Sequence, residues 1–241
     1  NSHYAYCSLV DVTFDGLTIQ KQIKFEDGST SVAGFAGNMK VDGITIQNCT
    51  FQGKDGIMEE DTLSDDDKSY VAIKMNTEKN SFANISIISC NITNYYQGMY
   101  IQASNNITVS NCFINGTKHN AIALQDGGQG PKTTGKVLIT ENVIQNVKDR
   151  AIRFGNAANV DSVTINNNIM LNSGDSDGQL IKAESLNQGA AVSLEYNYWA
   201  GEEISTAVDP SMGELPTVAG VTGGTFSGLE SIADYCAPGY T

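Results

Sequence analysis

Between Asn84 and Gly116 the chain says nearly the same thing twice. Apolar side chains fall at Ile85, Ile87, Cys90 and Ile92, and again at Ile107, Val109, Cys112 and Ile114. Within each copy apolar and polar residues alternate, which is the period of a strand whose side chains point to opposite faces. Each copy breaks at Ser-Cys or Asn-Cys and resumes, and GMYIQ (98–102) between them is a further short strand pattern. Cys112 follows Cys90 by 22 residues, about the length of one coil in a stack of similar coils.

The same line can be laid along most of the chain. VTFDGLTI, ITIQNCTF, ISIISCNI, ITVSNCFI, VLITENVI, VTINNNIM and VSLEYNYW place Leu17, Cys49, Cys90, Cys112, Asn142, Asn168 and Asn197 at one equivalent position. The intervals are 32, 41, 22, 30, 26 and 29 residues, a constant pattern with corners of different length, as solenoids allow. The shared position is expected at a tight bend, pointing inward. Asn there would take a left-handed backbone and bond from coil to coil, and Cys, small and easily buried, would fill the same slot.

A third strand per coil is predicted at 70–76, 98–104, 120–126, 150–156 and 178–184. Aligning Ile73, Ile101, Ile122, Ile152 and Ile181 inward turns Lys74, Gln102, Ala123, Arg153 and Lys182 outward. Two residues on, the outward set is Asn76, Ser104, Gln125, Gly155 and Glu184. Two long corners flank this face, an acidic one at 53–69 and a Gly-rich one at 126–136. The fold class that follows is all-β: a single parallel β-helix of about seven coils with three strands each, right-handed by the resemblance given below. It is expected over residues 1–210. Residues 211–241, where the repeat is lost, form an irregular C-terminal tail that caps the helix or starts a following surface repeat.

Composition narrows the function. The net charge is −13 and the pI near 4.4, which argues against nucleic acid and anionic membranes as partners because no basic excess exists to neutralise phosphates. No apolar run reaches membrane-spanning length. Asn1 in place of an initiating Met leads to the expectation of a piece of a larger multidomain chain. Five Cys, three of them at equivalent repeat positions and none in CxxC spacing, suggest neither a disulfide framework nor a zinc site. Whether Cys7 and Cys236 pair is left open by the sequence. The sequons at Asn48, Asn84, Asn91, Asn106 and Asn115 follow from an Asn-rich repeat; several are expected to point inward.

Tandem short strands, an inward Asn or Cys ladder, the ITIxNC-type repeat and the closing NYW resemble the pectate-lyase-like right-handed β-helix superfamily, from about Val10 to Pro210. The tail GGTFSGLESIADYCAPGY resembles a linker-like repeat of large surface proteins of gut bacteria. The first resemblance implies a substrate groove over the third strand, floored by Lys74, Gln102, Gln125, Arg153, Lys182 and Glu184. The two together imply a secreted or cell-surface bacterial protein.

Three chemistries compete for that groove. Hydrolysis needs two carboxyls at a set separation across the glycosidic bond, and only Glu184 lies on the aligned columns. The polygalacturonase-like Gly-His-Gly is missing, and His3 and His119 are the only His residues. β-Elimination needs a base, for which Arg153, Lys182 or Lys74 would serve. It also needs a cation, and calcium could be held by Asp126, Glu184 and Asp65–Asp67, although no calcium-loop spacing is present and no metal site is assigned. The third reading is a module without chemistry and without a required cofactor, binding a glycan or a partner surface through Gln102, Gln125, Asp126, Glu184 and Tyr100, with Tyr95 and Tyr96 close by. The bland middle of the outward face, Gln102, Ser104 and Ala123, favours binding; a polysaccharide lyase is the alternative. Trp199 is expected to cover the helix end, and His119 to be polar surface.

Overall fold

The computed structural model describes residues 9–26, 41–76, 82–102, 104–126, 132–157, 159–174, 178–186 and 189–241. Cys7, His3 and the middle of the Gly-rich corner lie outside them, as does Ala103. Among the described residues the strands form three parallel sheets of eight, seven and six strands. Each coil visits the three sheets in turn, for example Ser104–Ser110, then Phe113–Thr117, then Ile122–Gln125. Sequence neighbours therefore never pair; each strand pairs with its counterpart one coil away. This is the expected three-stranded parallel β-helix.

The core follows from the alternation. Ile85 and Ile87, Ile107 and Val109, Val137 and Ile139, and Val163 and Ile165 point inward from the first sheet. Phe51, Ile92, Ile114, Ile144 and Met170 do so from the second. All are at most 1% exposed. One-residue slips would turn every such side chain to water, so burial fixes the register to within two residues.

The ladder stacks as predicted. Cys49, Cys90, Cys112, Asn142, Asn168 and Asn197 are buried. Both residue types use the same acceptors. Asn168 Nδ2 donates to the Ile139 and Asn166 carbonyls at 2.9 and 3.0 Å. The Cys112 thiol faces the Ile87 and Ser110 carbonyls at 3.7 and 3.4 Å. Asn adds a chain of amide bonds along the column: Asn142 Nδ2 to Asn168 Oδ1 at 2.9 Å and Asn168 Nδ2 to Asn197 Oδ1 at 3.0 Å. Two expectations need correction. The left-handed residue is the one before the ladder: Asn48, Ser89, Asn111, Glu141, Asn167 and Tyr196 have φ between 51° and 59°. These residues take the bend with their side chains outside the stack, which leaves the ladder residue pointing inward. Leu17 shares the backbone register, its carbonyl accepting from Thr50 N at 2.8 Å, but its side chain is 43% exposed. It is the first rung of the column, with a ladder neighbour on one side only among the described residues.

The third sheet corrects the register by two residues in one coil. Met99, not Ile101, lies opposite Ile73 and Ile122, so Tyr100 joins the row of Lys74 and Ala123, and Gln102 the row of Gln125. Met99 and Ile101 are both buried, so either satisfies the inward pattern. The turn decides, because Gly98 sits where a Cβ would be 2.5 Å from the Ala121 carbonyl oxygen. Ser104 belongs to the first sheet of the next coil and is buried there.

The acidic corner is exposed along much of its length but anchored at a few points. Ser64 and Asp67 form a capping box around the short helix Asp65–Lys68. Lys54 Nζ bonds Asp67 at 2.5 Å and Glu60 at 2.8 Å, Ile57 is fully buried, and Lys118 Nζ donates to the Met58 carbonyl at 3.1 Å.

After Trp199, which is buried in the core, Ile204–Ala207 and the residues up to Met212 close the C-terminal end of the stack. Leu180 N donates to the Ala207 carbonyl, and Asp209 N to that of Ile181. The chain then turns back along the outside of the second sheet. Gly220 N bonds the Asn197 carbonyl, Thr222 N the Asn167 side chain and Ser227 Oγ the Asn111 carbonyl, descending coil by coil. Val221 and Phe226 pack there with Phe113, Val143, Ile169 and Tyr198. The sequons also resolve: Asn48, Asn84, Asn91 and Asn106 are exposed and Asn115 half-buried, so none points inward.

Candidate ligand-binding face

The outward face of the third sheet carries two rows of side chains that run along the helix axis, because each strand pairs in register with the next coil. The first row is Lys24, Lys74, Tyr100, Ala123, Arg153 and Lys182. In a chain with 14 Lys and Arg and a net charge of −13, four cations share this one register position. With strands about 4.8 Å apart the row extends roughly 24 Å. In the second row Gln102 pairs with Gln125, and Gly155 and Glu184 follow in the next two coils.

Tyr100 lies near the middle and is the point where the rows meet. Gln102 Nε2 donates to its phenol oxygen at 3.0 Å, and the Gln125 amide donates to the same oxygen. Gly155 makes the second contact possible, since a Cβ there would sit 3.0 Å from both Cβ and Oε1 of Gln125. Burial pushes the Tyr100 phenol up, while the Arg153 charge and the Gln125 donor pull it back.

The expected site residues separate into groups. Tyr100, Gln102 and Gln125 are in mutual contact. Arg153 and Glu184 form an ion pair between neighbouring coils, about a third exposed on each side. Lys74 and Lys182 lie in the same row as Tyr100 and Arg153. Asp126 does not face the sheet surface. Its buried carboxylate accepts from Thr133 N and Lys132 Nζ, both at 2.8 Å, and so closes the Gly-rich corner. Its carbonyl in turn accepts from Gln102 Nε2 at 3.5 Å. Asp67 is likewise committed to Lys54 and Ser64, which hold its carboxyl down at about 2. No cluster of three His, Cys, Asp or Glu suited to a metal occurs among the described residues.

A second group at the start of these strands revises the expectation that His119 is polar surface. His119 Nε2 lies 3.4 Å from Asp149 Oδ2, Nδ1 meets the Asn120 amide, and the ring packs 5.3 Å from that of Tyr96. Burial holds the imidazole below its usual range; Asp149 raises it and Arg153 lowers it further. Both ring nitrogens are therefore occupied. The three residues come from successive coils, aligned by Lys118 N to the Tyr95 carbonyl and Lys148 N to that of Thr117. Nothing local in the sequence announces such contacts. The only signal is the coil alignment itself.

Three parallel sheets, an inward Asn and Cys ladder and a lateral polar face define a β-helix solenoid. The chain belongs to the right-handed β-helix family: the model of the right handed beta helix region matches residues 5–197. No curated protein and no solved structure matches it. No helix among the described residues is long and apolar enough to cross a membrane.

Proposed function

We propose that the chain is a secreted or cell-surface module that binds a glycan along the third-sheet face without chemically altering it. The observation that carries this reading is Tyr100, an aromatic ring held by two Gln amides within a row of four cations. Amides and a partly exposed ring suit sugar hydroxyls and ring faces. The cations favour an acidic glycan lying along the helix axis. Arg153, the best-placed base for elimination, has its guanidinium engaged by Glu184, which suits recognition better than proton abstraction. Residues 1–210 would carry this face, and 211–241 would serve as cap or as the start of a following surface repeat.

The test is calorimetric titration with acidic and neutral oligosaccharides, alongside an ultraviolet assay for unsaturated products. Binding to an acidic glycan is expected, weakened about tenfold or more in Arg153→Ala or Lys74→Ala, with no product formed. An unsaturated product that disappears in Arg153→Ala or Lys182→Ala would instead make the protein a polysaccharide lyase.

A further inference from the structure

The hydrogen bonds around Tyr100 fix more than its position. Gln102 Nε2 faces two oxygens, the Tyr100 phenol and the Asp126 carbonyl. The carbonyl can only accept, so the atom facing both must be the nitrogen and not the amide oxygen. The Gln125 amide nitrogen fills the remaining acceptor position on the phenol. A phenol oxygen that already accepts two hydrogen bonds has one direction left for its own proton, away from both amides. The neighbouring groups in the same row, Lys74 and, across Ala123, Arg153, are also donors without acceptor capacity.

We propose that Tyr100 is the specificity-determining residue of this face, its hydroxyl held as an obligate donor toward the ligand, so that the face selects an acceptor-only anionic oxygen, a carboxylate or a sulfate ester, over a hydroxyl. A hydroxyl placed there brings a proton that Tyr100, Lys74 and Arg153 cannot accept, so that it must turn to a Gln amide oxygen or Glu184 in the neighbouring row. A deprotonated oxygen leaves nothing unpaired and makes charge-assisted bonds. Gln125 acts as a positioning residue, because it turns the phenol proton outward. The proposal rests on the glycan-binding reading and adds the chemical group that the site prefers.

The orientation can be tested without a ligand. With tyrosine labelled at Cζ, NMR titration reads the Tyr100 phenol directly. Removing a donor destabilises the phenolate, so Gln125→Met is expected to raise the Tyr100 pKa. Had Gln125 been accepting the phenol proton, the same change would lower it. An unchanged or lowered value overturns the proposal. The ligand arms use polyglucuronate, its carboxyl-reduced form and sulfated dextran. Wild-type protein is expected to prefer one of the two anionic polymers to the reduced one by about ten- to a hundredfold, the winner identifying carboxylate or sulfate. Tyr100→Phe is expected to reduce that preference several-fold, leaving the part that the cations supply, and an unchanged preference overturns the role of Tyr100. Equal binding of reduced and unreduced polymer overturns the selectivity. A raised pKa with no polymer bound leaves the hydroxyl orientation standing and retires the glycan reading.

Discussion

Replacing Asn168 by Ala and by Cys separates what the ladder contributes from what mere filling contributes. The Asn168 amide is fully buried and makes five contacts. It donates to the Ile139 and Asn166 carbonyls and to Asn197 Oδ1, and it accepts from Asn142 N at 3.1 Å and from Asn142 Nδ2 at 2.9 Å. Alanine strands the Asn142 N–H and the Ile139 carbonyl with no room for bulk water. At about 1–3 kcal/mol for each of these two stranded buried groups, the loss is about 2–6 kcal/mol. Cysteine keeps weak versions of the same contacts, as Cys112 demonstrates in its own coil. Its sulfur accepts from Cys90 N at 3.5 Å and faces the equivalent carbonyls. Asn168→Cys should therefore cost about half as much or less. Urea denaturation followed through the fluorescence of Trp199, the only Trp and a buried one, measures both. If Cys costs nothing, the inter-coil amide chain adds nothing and the column is simply a packed seam; if Ala costs no more than Cys, the stranded-group reasoning fails.

Two further outcomes follow. Asp67 is held at about 2 by Lys54 first and then by Ser64. A depressed carboxyl stabilises the fold above its unfolded value near 3.9 and loses that contribution as pH falls toward its folded value. The melting temperature should thus drop between about pH 4 and pH 2, and less so in Asp67→Asn; equal acid sensitivity would remove Asp67 from the account. Gly228 has φ +80° and lies against Phe113, where a Cβ would come within 2.3 Å of the ring. Gly228→Ala should free the C-terminal tail to proteolysis while the main unfolding transition stays in place; a tail that stays protected would mean that its seat on Phe113 is dispensable.

The parts of the fold legible in the sequence are those set by side-chain alternation. Ile85 and Ile87 or Ile107 and Val109 can face only inward, and the ladder is visible because Asn and Cys satisfy the same pair of carbonyls. Two things were not legible, for different reasons. In Gln97–Gln102, Met99 and Ile101 are both apolar, so a two-residue slip costs the pattern nothing and is settled only by the turn at Gly98. The seat of the tail did leave a trace. The outward position that opens each second-sheet strand is Thr50 and Asn91 in early coils, then Phe113, Val143, Ile169 and Tyr198. The change from polar to apolar begins where Gly228 and Phe226 lie. The His119–Asp149 pair depends on one turn lying above another and has no local signature.

The two-residue correction also changes the functional argument. With Gln102 in the central row, the middle of the face is neutral and flexible, and the absence of chemistry follows from blandness. With Tyr100 there, the middle is an ordered aromatic donor, and Ala123 beside it acquires a role. It is the smallest side chain of its row and is buried, so no bulk stands between Tyr100 and Arg153. The guanidinium charge consequently reaches both the Tyr100 phenol and the His119 ring, favouring the phenolate and disfavouring the imidazolium. One cation thus biases two titratable groups that come from consecutive coils. The proposal of binding rather than catalysis therefore rests on different grounds from the sequence reading: not an empty centre, but a filled one in which Gln102, Gln125 and Glu184 bond Tyr100 and Arg153.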